Sequence, residues 1–515
     1  MRTATARAAL LSCVAILLGV FVRVSPAQTT RPAEIDVILW FDTEDYLLPA
    51  DDDAAKRLAE LLSQRHIRAT FKVVGEKARV LERRGRHDVI AALKEHEIGY
   101  HANFHSVHPT PTEYLADCGL LDGMEEFVRR EGPGAADVRR IFDVPTLVCY
   151  GQPGSSWAPQ AIAALGACGI GYSAVPCYLD SGHHVGFGDR PFWYAGALNV
   201  YDMGKNETRM DLWAEDGLER GEKSFASIAD RLATEGGGLI SIFYHPCEWV
   251  HQEFWDGVNF RRGANPPREQ WRPPPQRPME ETDLAFARFA QYVDFMRVRP
   301  GIRFVTARDL PELYPDPLRS DGASEAQLLE LAGRILAPDS KGLDDQRIGS
   351  EIFSPADQFA LLAFAVARGI DSPGATGVVR VRPGLLGPDS VAPAPTVARV
   401  IPWPAFRDAT RDVRDFLQNS QRIPARVFIG ADSIPPADFV PAMAAAYVAM
   451  LESHQTPQSV ALPSGIEVLT MRHVAPDTPG LFGGWIIHKQ GFRAPKVVEQ
   501  ARLQAWTLKP ALRRD

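Results

Sequence analysis

The segment Ile35-Asp-Val-Ile-Leu-Trp-Phe-Asp42 constrains the fold of this chain more than any other. It is apolar almost throughout and lacks the polar alternation of a strand with one wet face. Such a run suits a parallel strand covered on both faces by helices. It ends in a carboxylate. The pattern then repeats. Residues 51–64 read as a helix, with acidic residues at the start and Leu58, Leu61 and Leu62 at helical spacing. Residues 68–74 read as a strand, 77–83 and 87–96 as helices, and 97–100 as a strand that delivers His101. Strands are expected again at 144–150, 170–175, 197–201, 238–244 and 302–306, with helices at 158–166, 224–235 and 284–296. Repeated β/α units predict an α/β fold, a barrel of about seven strands. Asp42, His101, Tyr150 and His245 all fall at the C-terminal ends of expected strands. In a barrel those ends form one face, and that face holds the active site.

A chain of 515 residues exceeds what one domain usually needs. The net charge of -8 gives no basic field for nucleic acid. Arg2 and Arg7 precede an apolar run over residues 8–22, followed by Ser25-Pro-Ala27. This pattern predicts a signal peptide over residues 1–27 and a secreted or periplasmic protein. The run is short for a spanning helix, so no stable membrane insertion is expected after cleavage. Cys118, Cys149, Cys168, Cys177 and Cys247 then remain. None has the spacing of a zinc knuckle or a redox centre, and the sequence does not pair them.

Residues 28–315 are expected to form the barrel domain and 316–515 a smaller, mainly helical or mixed accessory domain. Helices are expected at 325–335, 354–367, 406–421 and 439–451, with a Pro/Gly/Ala-rich linker at 383–395. Residues 255–279, rich in Arg and Pro, read as a long surface loop, either over the site or a bare insertion.

The chemistry concentrates in two segments. Asp42-Thr-Glu-Asp45 places three carboxylates in four residues just past a strand, a costly arrangement inside a protein unless a cation meets it. His101 and His105, four apart, share one face if the turn is helical, and can chelate one ion. His108 is an alternative ligand or a supporting group. Two imidazoles and one carboxylate leave a position open for water, and zinc is the default ion for that set. Asp45 is assigned as the acidic ligand, with Glu44 its rival. Asp42 is the base that takes the water proton, and His245 the acid for the leaving group. A backbone N–H near Tyr150 and Gly151 is a candidate oxyanion donor, and Trp249 a candidate substrate contact.

These segments resemble the polysaccharide deacetylase family. The likeness rests on Phe41-Asp-Thr-Glu-Asp-Tyr46, on Glu97-Ile-Gly-Tyr-His101 through His105-Ser-Val-His-Pro109, and on the late strand ending in His245, and it covers roughly residues 35–310. It implies a distorted, incomplete β/α barrel and N- or O-deacetylation of a carbohydrate or cell-envelope glycan. It also implies one divalent metal held by an acidic residue and two histidines, with Asp42 as base and His245 as acid. The chain departs from the family in two places. Two residues separate Asp42 from Asp45, where many members have adjacent aspartates. Val148-Cys-Tyr-Gly151 keeps an aromatic-glycine pair but lacks the arginine that usually precedes it and helps to orient the base. Residues 423–430 through Phe439 resemble pseudomurein-binding repeats, which implies docking to a wall polymer. The reading is therefore a metal-dependent hydrolase removing acetyl groups from an extracytoplasmic carbohydrate. The alternatives are a non-catalytic glycan- or wall-binding protein and a metal amidohydrolase for a small molecule.

Overall fold

A computed structural model describes residues 34–394, 399–452 and 456–514. The expected signal segment, 1–27, lies outside the described residues. The strands that position the site are, in chain order, β1 (Ile35–Thr43), β2 (Thr70–Val73), β3 (Glu97–Tyr100), β4 (Cys177–Leu179), β5 (Phe192–Tyr194), β6 (Ala197–Val200), β7 (Gly238–Tyr244) and β8 (Ile302–Val305). Every residue of β1 is buried, as its unbroken apolar run requires. One edge of β1 carries β7 in parallel, from Ile35↔Gly238 to Phe41↔Tyr244. The other edge is shared. β8 pairs with residues 35–38 and β2 with residues 40–43, both in parallel. β3 extends the row beyond β2, again in parallel.

Tyr150 continues the row by single bridges, to Tyr100 at the end of β3 and to Tyr178 of β4. β4 pairs in parallel with β6, and β6 pairs antiparallel with β5. The architecture is mixed α/β on a mainly parallel sheet. Among the described residues no ladder joins β6 to β7; Glu207 makes one parallel bridge to Ser241 of β7. The strand expected at 144–150 is reduced to isolated bridges at Leu147 and Tyr150. The strand expected at 170–175 is a turn instead. Ser173 and Ala174 adopt left-handed backbone there, which ends any ladder.

Helices α1 (Pro49–Ser63), α2 (Gly75–Arg83) and α3 (His87–Lys94) follow the first strands, as their spacing of apolar residues predicts. A long helix, Leu120–Phe142, was not foreseen, and it carries Pro133 in its interior. It lies so close to β3 that a Cβ on Gly134 would sit 2.5 Å from the Tyr100 hydroxyl, so only glycine fits there. The loop expected at 255–279 contains short helical turns at Trp255–Asn259, Arg261–Gly263 and Arg268–Gln270. Trp255, Phe260 and Trp271 pack on one another and on Tyr46, so this segment is fastened to the sheet by an aromatic cluster.

A second core begins at Leu318. It is built mainly on the helices Glu325–Ile335, Pro355–Asp371, Trp403–Ser420 and Pro436–Glu452. The chain then returns to the first core. Leu481, Phe482, Val497, Ala501 and Leu508 are buried among residues of the sheet layer. Lys509–Pro510 adds an antiparallel strand to β5, and Arg513 pairs with buried Asp36 of β1 at 2.9 Å. Most buried residues beyond 474 therefore pack in the first core, with Trp506 in the second, whereas the sequence places a single boundary at 315/316. The described residues fall in one compact unit. No helix among them is long and apolar enough to cross a membrane. The five described cysteines are free thiols.

If the returning tail is part of the first core, Leu508→Ala should cost about 2–5 kcal/mol, the usual range for a buried leucine. The measurement is the denaturant midpoint of the full chain. A loss below about 1 kcal/mol would contradict the placement.

Candidate metal and catalytic site

The end of β1 sets the site. Its pairing brings Trp40 level with Phe243 and Phe41 level with Tyr244, so Asp42, the next residue of β1, lies beside His245. Asp42 Oδ2 lies 3.6 Å from His245 Nε2. On the other edge Asp42 is the register partner of Lys72 in β2. His101 follows β3, its backbone N–H still donating to the carbonyl of Val73. From there to His105 the chain is a loop, not the helical turn the spacing suggested. Ala102 and His105 both take left-handed backbone, with φ of 62° and 57°. That conformation costs a residue with a side chain on the order of 1–2 kcal/mol, and such strain collects at functional sites. The bend brings the two imidazole centroids to 5.0 Å.

Glu44, not Asp45, meets the histidine pair. Its Oε2 is 2.8 Å from His105 Nε2 and 3.5 Å from His101 Nε2. Asp45 points elsewhere for a clear reason. Its Oδ1 accepts the N–H of Leu47 at 2.8 Å, which closes the turn after β1, and its Oδ2 faces His251 Nδ1 at 3.0 Å. Its carbonyl accepts from Lys77, a buried ammonium also paired with Asp51 and Asp52. Asp45 is thus spent on local structure, and the longer Glu44 side chain reaches the imidazoles.

The donor set fits a divalent cation. One ligand atom each from Glu44, His101 and His105 lies within 4.8 Å of the others, and all three residues are buried. Neither Nε2 atom makes a hydrogen bond of good geometry, although both are buried. His101 Nδ1 is 3.0 Å from the carbonyl of Gly151, which fixes the proton on Nδ1 and leaves Nε2 with its lone pair. His105 Nδ1 is 2.5 Å from Ser106 Oγ, which in turn donates weakly to Asp256 at 3.4 Å. Burial holds the His101 imidazole well below its ordinary pKa, assisted by the Lys72 charge, and pushes His105 down to about 4. Both are therefore neutral ligands at neutral pH. Burial and the carboxylates of Asp256, Asp42 and Asp45 push Glu44 well above the carboxylate range despite the opposing pull of His245. A cation is what would let it ionise there.

His245 is held from behind. Its Nδ1 donates to Glu248 Oε1 at 2.8 Å, and Glu248 is paired in turn with Arg209. Burial alone would lower the pKa of His245, but Glu248, Glu44 and Asp42 outweigh it and raise it to about 9. Glu248 is held down at about 2, its own burial overcome by His245 and Arg209. A cavity of about 410 Å³ opens above these groups, with Glu44, His105 and His245 exposed to it. Phe254 closes one side, edge-on to His245 with centroids 5.0 Å apart, and Trp485 the other, edge-on to His105 at 5.7 Å.

Three further expectations fail. His108 is bonded to Glu113 at 2.6 Å and packs against Phe260, outside the ligand group. The backbone N–H groups of Tyr150 and Gly151 are consumed by the carbonyls of Cys177 and Tyr100, so neither is free for an oxyanion. The Tyr150 ring packs in the core on Tyr100 and Phe127. Trp249 is wholly buried against Tyr244, Phe286 and Phe289 and cannot touch substrate. Conversely, Lys72, Asp180, Glu248 and Trp485 were not singled out from the sequence. The Glu248 spacing, three residues after His245, was the only local signal among them.

No family model matches the chain, and no curated protein matches it. Among solved structures, a Mycobacterium smegmatis protein described as a polysaccharide deacetylase is 14% identical with a TM-score of 0.34, covering 56% of this chain and 92% of that one. The Xyl-CE4 domain of a multidomain xylanase, from the hindgut metagenome of Trinervitermes trinervoides, is 11% identical with a TM-score of 0.28, covering 54% and 90%. A CE4 family pseudoenzyme from Bacillus anthracis is 10% identical with a TM-score of 0.27, covering 53% and 65%. Likenesses this distant carry neither fold nor function to this chain.

Zinc titrated into the metal-stripped full chain should bind one ion per chain. Glu44→Gln and His105→Ala should each weaken binding by at least about tenfold. Asp45→Asn should retain it. Loss of zinc in Asp45→Asn with retention in Glu44→Gln would reverse the ligand assignment.

Proposed function

We propose that this protein is a metal-dependent hydrolase that removes acetyl groups from an extracytoplasmic carbohydrate. The observation that carries the reading is the convergence of Glu44, His101 and His105, with Asp42 and His245 facing each other beside them, next to a cavity that Glu44, His105 and His245 line. The sequence likeness to polysaccharide deacetylases names the substrate class. The expected signal segment supports action outside the cytoplasm.

A divalent cation held by Glu44, His101 and His105, zinc by default, would supply Lewis acidity toward water and the acetyl carbonyl. The protein's own groups do the proton work. Asp42 takes a proton from the attacking water as oxygen adds to the carbonyl carbon. His245, charged at neutral pH and held by Glu248, gives its Nε2 proton to the departing nitrogen or oxygen as the bond to the acyl carbon breaks. Acetate and a free amine or alcohol result. Phe254 and Trp485 wall the cavity and offer apolar faces to a sugar ring.

One observation favours a second reading. The cavity of about 410 Å³, with the apolar Phe254, Trp485 and Ile486 in its lining, is of a size to take a small amide. In that case the protein is a metal amidohydrolase for a small molecule.

Acetate release from acetylated glycan oligomers, acetylated monosaccharides and small acetamides separates the readings. Zinc-loaded wild type should turn over at least one glycan. Asp42→Asn and His245→Ala should each lower kcat by about 10²- to 10⁴-fold, the usual worth of a general acid or base, while keeping zinc. Turnover confined to small acetamides would select the second reading. Full zinc occupancy with no acetate from any of these substrates would remove the hydrolase.

A further inference from the structure

Lys72 is wholly buried, yet no step above uses it. Its ammonium is 2.9 Å from Asp42 Oδ1 and 2.9 Å from Asp180 Oδ2, and it donates to the carbonyl of Leu179 at 2.8 Å. It also lies over the Trp40 ring, 4.1 Å from the centroid. Space is cleared for it. A Cβ on Gly151 would fall 1.9 Å from Nζ, and one on Gly99 3.1 Å from Cγ. Desolvation lowers the pKa of this amine, but Asp180 and Asp42 more than compensate, so it stays charged.

A buried ion pair is weak evidence of stability, since apolar residues of the same shape often serve as well. The arrangement makes better sense as orientation. The two oxygens of Asp42 face different neighbours. Oδ1 is held by Lys72, with His101 Nδ1 farther off at 3.4 Å, and Oδ2 is turned to His245. Asp180 has no such second role; it anchors the ammonium from the far side, and its Oδ1 accepts the N–H of Ser181 at 2.7 Å. Asp42, His101 and Asp180 also lie close enough together to hold an ion. The Lys72 charge already fills that place, and the Nδ1 of His101 is spent on Gly151.

We propose that Lys72, anchored by Asp180, is the positioning residue for the base: it fixes which Asp42 oxygen faces the reacting water. Val148–Gly151 offers no arginine for this task, and Lys72 in β2, the neighbour of β1, supplies the charge instead. The inference rests on Asp42 acting as the base in the reading above.

The test compares zinc-loaded Lys72→Met, Lys72→Arg and Asp180→Asn with wild type, by acetate release and by crystal structure. Lys72→Met should lose at least about a hundredfold in kcat with KM and zinc content unchanged, the mark of a contribution made only in the transition state. Lys72→Arg should recover at least about tenfold over Lys72→Met, and Asp180→Asn should fall between wild type and Lys72→Met. In crystals of Lys72→Met the Asp42 carboxylate should turn, lengthening its 3.6 Å separation from His245 by more than about 1 Å. If Lys72→Met does not fold, the Asp180→Asn rate and its Asp42 position decide. A kcat within about threefold of wild type, a change in KM alone, or an unmoved Asp42 carboxylate would overturn the proposal. A wild type that releases no acetate would retire the deacetylase reading separately, because the Asp42 position is read without turnover.

Discussion

Six ionisable side chains alternate in sign along the rim of this sheet: Arg209, Glu248, His245, Asp42, Lys72 and Asp180. Each neighbour in the row has the opposite charge, and most of the row is buried. Moving any one of these groups out of water is expensive, and removing a partner leaves the next one stranded. The row therefore behaves as a unit. Its centre is Asp42, which holds a cation on one side and a charged imidazole on the other. The Glu44–His101–His105 group sits beside that centre, so one set of buried charges organises both the candidate ion site and the candidate proton donors.

Strand register is what makes the row possible. β1 is flanked by β2 and β7 in parallel, and the side-chain period of two fixes which residues share a face. A slip of one residue would turn Asp42 away from both Lys72 and His245. Both faces of β1 are buried, Val37, Leu39 and Phe41 in one core layer and Ile38 and Trp40 in the other, so that slip would also exchange the side chains of two differently filled layers. Burial of one hydrophobic strand is thereby converted into placement of three charged residues from separate parts of the chain. The tail beyond residue 474 adds to this. It locks β1 through Arg513 and brings Trp485 to the cavity wall.

Much of this was legible in the residues. The sequence marks β3 and β7 to their ends, and β1 and β6 to within one residue, because apolar runs bounded by polar residues give a strong local signal. Asp42, His101 and His245 lie near one another, as their positions at strand ends suggested, and His105 joins them through the loop after His101. Glu44 against Asp45 was not decidable, since both follow the same strand and only the turn at Leu47 and the contact to His251 commit Asp45 elsewhere. Trp249 and Tyr150 looked available because they lie near strand ends, but long-range packing buries them. Lys72 was read as part of an ordinary strand. Its partner Asp180 is more than a hundred residues away, and sequence spacing says nothing about such a pair. Helix Leu120–Phe142 was missed because Gly132, Pro133 and Gly134 interrupt its pattern.

The position of one bound ion decides the role of this rim. Crystals of the full chain loaded with zinc, measured at the zinc absorption edge, give that position directly. The expected result is a single anomalous peak about 2.0–2.2 Å from the Nε2 atoms of His101 and His105 and from a Glu44 carboxylate oxygen, with Asp45 still facing His251. A peak beside Asp45, or one distant from both imidazoles, would contradict it.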